Sequence, residues 1–134
     1  MMNLELHLRG IGGLLMGLAL LHAGFPRYFN WAADLKPLTL LNRQLMYVHT
    51  LFIGLVLLLM GALCWRCAPD LVGTPLGHQV ALGLGLFWLA RLLVQFFGYS
   101  PALWRGKRFE TAVHLGFSAL WTYLTVVFLA VYWQ

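Results

Sequence analysis

Acidic side chains are almost missing from this sequence. Four Asp and Glu stand against nine Lys and Arg in 134 residues, and charged residues of both signs make up only 10% of the chain. So little charge excludes an ordinary soluble domain of this length. It also excludes a di-iron carboxylate centre, which draws on several Glu in Glu-x-x-His spacing, because Glu110 is the only carboxylate near the histidines discussed below. Low-complexity tracts are absent, and cysteine is confined to Cys64 and Cys67.

Hydrophobic residues, by contrast, fill 61% of the sequence. Apolar stretches cover about residues 8–25, 45–65, 80–98 and 109–133, each near the ~20 residues that cross a bilayer as helix. Backbone polar groups in hydrocarbon must be satisfied within their own segment, and these runs are too long and too evenly apolar for barrel strands. The expected fold is an all-α integral membrane protein, a four-transmembrane-helix bundle forming one membrane domain over residues 1–134. The first run is short and follows Arg9, as in a secretory signal. It has no small-x-small cleavage site at its end, in "LLHAGFPR", and is expected to remain in the mature protein.

Loop charge sets the orientation. Arg27, Lys36, Arg43, Arg105, Lys107 and Arg108 flank one side of the spans, against Arg9 and Arg66 on the other. In a bacterial-type plasma membrane this places both basic loops in the cytoplasm and both termini outside it. Topology and anionic headgroups thereby account for most of the net charge of +5, and nothing suggests nucleic-acid binding.

The second and fourth spans open alike. "RQLMYVH" from Arg43 and "RFETAVH" from Arg108 share an R-x-x-x-x-V-H pattern, which would relate two helical hairpins by a pseudo-twofold axis along the membrane normal. Small residues at Gly10, Gly13, Gly17 and Gly24, and again at Gly77, Ala81, Gly83 and Gly85, suggest close helix packing in the first and third spans.

Intramembrane polar residues gather near the cytoplasmic ends of the spans: His22 in the first, His49 in the second, Arg91 and Gln95 in the third, Glu110 and His114 in the fourth. Arg91 and Gln95 share a helix face at i and i+4. Glu110, His114, Ser118, Trp121 and Thr125 follow a helical period and should look inward. A membrane-embedded arginine usually has a partner, for which Glu110 is the first protein candidate, Asp34 the second and a bound anionic group the alternative; its depth also permits Arg91 to snorkel to the cytoplasmic headgroups. Taken singly, each histidine is best explained as an interhelical hydrogen-bonding group, and His7 and His78 fall outside the layer.

Three chemistries suit such a layer. His22, His49 and His114 are candidate ligands for a single transition metal or for haem b, with His49 and His114 axial and Arg43, Arg91 or Arg108 on the propionates. A quinone or partner subunit would then complete a redox role. Alternatively, the layer holds a lipid-like anionic substrate against Arg91 with a histidine as base, or the same residues tie together an accessory subunit that performs no catalysis. The "CWRC" of Cys64–Cys67 resembles the C-x-x-C pair of quinone-linked thiol oxidoreductases. Its place at a helix C-terminus, where the dipole disfavours a thiolate, and the lack of a second cysteine pair favour a simple interfacial pair.

Overall fold

The structure, a computed structural model, describes residues 3–134, the side chain of Pro101 excepted. It is 86% helical with no strand among the described residues. The helices are α1 (Leu4–Tyr28), α2 (Trp31–Asp34), α3 (Leu40–Arg66), α4 (Ala68–Gly73), α5 (Pro75–Phe97) and α6 (Arg108–Trp133), with a 3-10 turn at Pro101–Leu103. Four of them, α1, α3, α5 and α6, are long and apolar enough to cross a membrane. Their exposed surface fits that use: Leu20, Leu59, Phe97 and Leu115 are each more than half exposed, a poor arrangement in water and a suitable one in lipid.

Helix ends follow local chemistry. Thr39 caps α3 by accepting a hydrogen bond from the Asn42 N–H, and Thr74 caps α5 through the Gly77 N–H, with Pro75 in the first turn. The α1 helix runs through Pro26, which lies in its last turn. Between α5 and α6 the chain reverses at Gly106, whose φ of +77° is a left-handed conformation that suits glycine.

Two compact units make up the chain. In the unit spanning Leu6–Ala68, α1 and α3 approach with backbone nearly touching backbone. A Cβ on Gly12 would lie 2.6 Å from the Gly61 carbonyl oxygen, and one on Gly61 would lie 2.7 Å from the Gly12 oxygen. Of the small α1 residues that the sequence suggests for close packing, Gly10, Gly13, Gly17 and Gly24, only Gly13 has a neighbour within 4 Å of a Cβ, the Trp65 ring. The contact turns on Gly12 instead, beside the fully buried Leu8, Ile11 and Leu15.

The second unit, Pro69–Gln134 with residues 3–5, is built on the α5–α6 hairpin. Antiparallel pairing brings Gly85 against Leu129, Trp88 against Trp121 and Gln95 against His114 in successive layers. The expected small face of α5 holds at Gly77, Ala81 and Gly85, which are buried, whereas a Cβ on Gly83 would meet nothing within 4 Å. On α6, His114, Ser118, Trp121 and Thr125 are buried as the helical period predicts, but Glu110, at the helix start, is exposed.

Candidate functional site

Within the α5–α6 hairpin, a polar seam runs through otherwise apolar packing. Arg91 is half-buried and donates from Nη1 to Gln95 Oε1 at 3.2 Å, one turn further along α5. Gln95, 7% exposed, crosses to α6, where its Nε2 lies 3.1 Å from His114 Nδ1 and 3.4 Å from the His114 carbonyl oxygen. Hydrogen-bond direction fixes the chemistry of this relay. Because Arg91 carries only donors, it requires the Gln95 oxygen on its side, which leaves the Gln95 amide N–H groups to face His114. His114 Nδ1 is therefore the acceptor, and the neutral ring carries its proton on Nε2.

Aromatic rings enclose the relay. The Arg91 guanidinium carbon lies 5.0 Å from the Trp121 ring centroid and 5.5 Å from that of Tyr99. Trp121 stacks on Trp88 at 5.0 Å with 12° between planes, and the Phe117 ring lies 5.4 Å from Trp121. His114 is stacked against Trp104 at 4.5 Å and 13°, with the Phe96 ring edge-on at 5.9 Å. The Trp104 segment is itself tied down, since Thr111 Oγ1 donates to the Trp104 carbonyl at 2.6 Å. Cation–π contacts of this kind contribute roughly 0.5–2 kcal/mol, more as water is removed.

Arg91 has no carboxylate partner among the described residues; Gln95 is its one hydrogen-bonded neighbour. The pairing with Glu110 expected from the sequence is not formed, because Glu110 sits at the exposed first turn of α6, one turn outside His114. Arg108 is exposed at the same end. Two further donors are unsatisfied: the indole Nε1 atoms of Trp88 and Trp121 are buried with no hydrogen-bond partner, while the residues are 2% and 6% exposed. A buried donor without an acceptor ordinarily costs about 1–3 kcal/mol. Ser118 and Thr125, by contrast, are satisfied by donating to the carbonyls of His114 and Trp121.

His22, His49 and Arg43 lie in the other unit. His22 is half-buried, with Nδ1 2.8 Å from the Leu18 carbonyl oxygen, its ring against Phe25 and its Cβ packed near Gly54. That hydrogen bond puts the proton on Nδ1 and the free lone pair on Nε2, the opposite of His114. His49 is exposed, so the two histidines of the R-x-x-x-x-V-H pattern do not share an environment. Arg43 is half-buried with a buried, unpartnered Nε, one turn from Tyr47, which meets Trp31 edge-on at 5.5 Å. No group of three or more His, Cys, Asp or Glu side chains among the described residues is arranged to hold a metal ion. Cys64 is buried and Cys67 half-buried, both as free thiols.

Of the residues in this seam, Arg91, Gln95, His114 and Trp121 stand out in the sequence by helical spacing, whereas Tyr99 and Trp104 do not. Tyr99 lies just beyond the end of α5, where helical spacing no longer reports which way a ring faces. Trp104 sits in a loop, where no period reports which way a ring faces. Compared with known proteins, the chain matches no family model, no curated protein and no solved structure.

Proposed function

We propose that this is a multi-pass protein of a bacterial-type plasma membrane that binds a lipid-like molecule through its anionic head, with Arg91 as the recognising group. The reading includes four spans packed as a bundle, both basic loops in the cytoplasm and both termini outside. The observation that carries it is the state of Arg91. A guanidinium in an apolar helix has one amide acceptor and two aromatic faces, and no countercharge among the described residues. Arginine in that setting is stabilised when an anion joins it, and the membrane itself supplies amphiphilic anions. A quinone would offer acceptors without the charge that Arg91 calls for.

His114 supports the same reading. Its Nε2–H tautomer adds a donor, whereas ligation of iron or another transition metal through Nε2 would need that proton moved and Gln95 turned over against Arg91. A second reading, haem b or a single transition metal, draws its support from His22, whose Nε2 lone pair is free. In that case Arg43, of the same unit, would neutralise a propionate, and His49 is the other ligand candidate.

Titration of the detergent-purified protein with oleate, and separately with oleyl alcohol, tests the proposal. Oleate should bind at least tenfold tighter than the alcohol, in keeping with the ~1.5–3 kcal/mol of a hydrogen bond to a charged group. Arg91→Gln should abolish that preference and Arg91→Lys should retain part of it. Equal binding of acid and alcohol by the unaltered protein would contradict an anion site. Absence of binding to both would favour an accessory subunit in which the seam only ties α5 to α6.

A further inference from the structure

The α5–α6 seam is unbalanced in a particular sense. Two buried donors in it have no partner, the indole N–H of Trp88 and the indole N–H of Trp121, and the Arg91 beside them makes one hydrogen bond, to Gln95. The Ser118 and Thr125 hydroxyls are already donating to backbone carbonyls, and no carboxylate enters the seam among the described residues. Trp88 and Arg91 are three residues apart on one face of α5, Trp121 stacks on Trp88, and Arg91 lies over Trp121. The three donors thus belong to one cluster rather than to three separate packing defects.

We infer that Trp88 and Trp121 are ligand-binding residues, whose indole N–H groups join Arg91 in gripping an acceptor-only acid head, a carboxylate or phosphate carried on an apolar chain. The inference rests on the anionic-ligand reading above and specifies which atoms take the head group. The head reaches Arg91 first, because Arg91 and Tyr99 are the accessible members of the cluster while both tryptophans are buried. The indoles then meet it by rotating about their side-chain bonds, each exchanging an unpaired N–H for a charge-assisted hydrogen bond. A neutral alcohol or ester supplies weaker acceptors and no charge, so it does not draw the indoles out of their stack. Carboxylate and phosphate heads share this chemistry; oleate and oleyl phosphate distinguish them.

The test is the indole region of a proton–nitrogen correlation spectrum of the whole protein, labelled with 15N-tryptophan, in detergent micelles. The chain has six tryptophans, so the spectrum is simple, and Trp88→Phe and Trp121→Phe assign the signals of interest. Oleate or oleyl phosphate should move those two N–H signals downfield, with oleyl alcohol leaving them in place. Each Trp→Phe variant should weaken binding of the acid about tenfold without changing that of the alcohol. If the unaltered protein binds the acid in an Arg91-dependent way while neither indole signal moves, the indole assignment is overturned and the Arg91 site stands. If the unaltered protein binds no acid at all, both are overturned. The downfield shift is read on the unaltered chain, so a variant that fails to fold does not remove the test.

Discussion

At the scale of single residues, Gln95 is the pivot of the seam. It presents oxygen to Arg91 and nitrogen to His114, so it both shields a cation and selects a tautomer. Gln95→Glu would give Arg91 the carboxylate it lacks. The expected result is a protein that folds normally but binds oleate at least tenfold less well, since the internal anion competes with the external one. Gln95→Leu removes all three hydrogen bonds and should lower stability by about 1–2 kcal/mol. It should also release the imidazole, which the nitrogen shifts of 15N-histidine will report as a mixture of tautomers in place of one. The Arg91–Gln95 contact was legible from i and i+4 spacing alone. The direction of the Gln95–His114 bond was not, because it depends on how α5 and α6 are rotated toward each other, which two apolar stretches leave open.

At the scale of helices, glycine positions separate the backbone contacts from the side-chain contacts. Gly12 and Gly61 face backbone, whereas Gly85 faces the end of the flexible Leu129 side chain, whose Cδ2 would lie 2.6 Å from a Cβ added there. Gly12→Ala and Gly61→Ala should therefore each lower the thermal stability of the purified protein, by about 1–3 kcal/mol. Gly85→Ala should cost less because Leu129 has room to change rotamer, and Gly10→Ala, with open space around it, should gain up to about 1 kcal/mol from helix propensity. A melting series in which Gly12→Ala matched Gly10→Ala would contradict the close α1–α3 crossing. Small residues in the first span did signal close packing, but an α1 sequence apolar on most faces gave no means of choosing Gly12 over Gly10 or Gly17. The same limit applies to His49 and His114, which the shared motif paired and the helix faces separate.

For the whole molecule, hydrophobic length was the most legible property. Spans expected at 8–25, 45–65, 80–98 and 109–133 correspond to α1, α3, α5 and α6, and the observed helices extend up to five residues beyond those limits at their N-terminal ends. The extensions are helical turns whose caps, Thr39 and Thr74, lie outside the apolar runs. Orientation is a separate property, carried by loop charge. Fusion of alkaline phosphatase to the C-terminus should give an active enzyme, and fusion of a fluorescent protein that matures only in the cytoplasm should stay dark. The reverse pattern would place the Arg91 layer near the outer face of the membrane and move its ligand to the other leaflet.

Whether Arg91 holds an anionic amphiphile can be read by native mass spectrometry of the protein released gently from its own membrane. An acidic lipid-like molecule should be bound to the unaltered chain and lost from Arg91→Gln. An adduct retained equally by Arg91→Gln, or a bound haem with its Soret absorption, would contradict it.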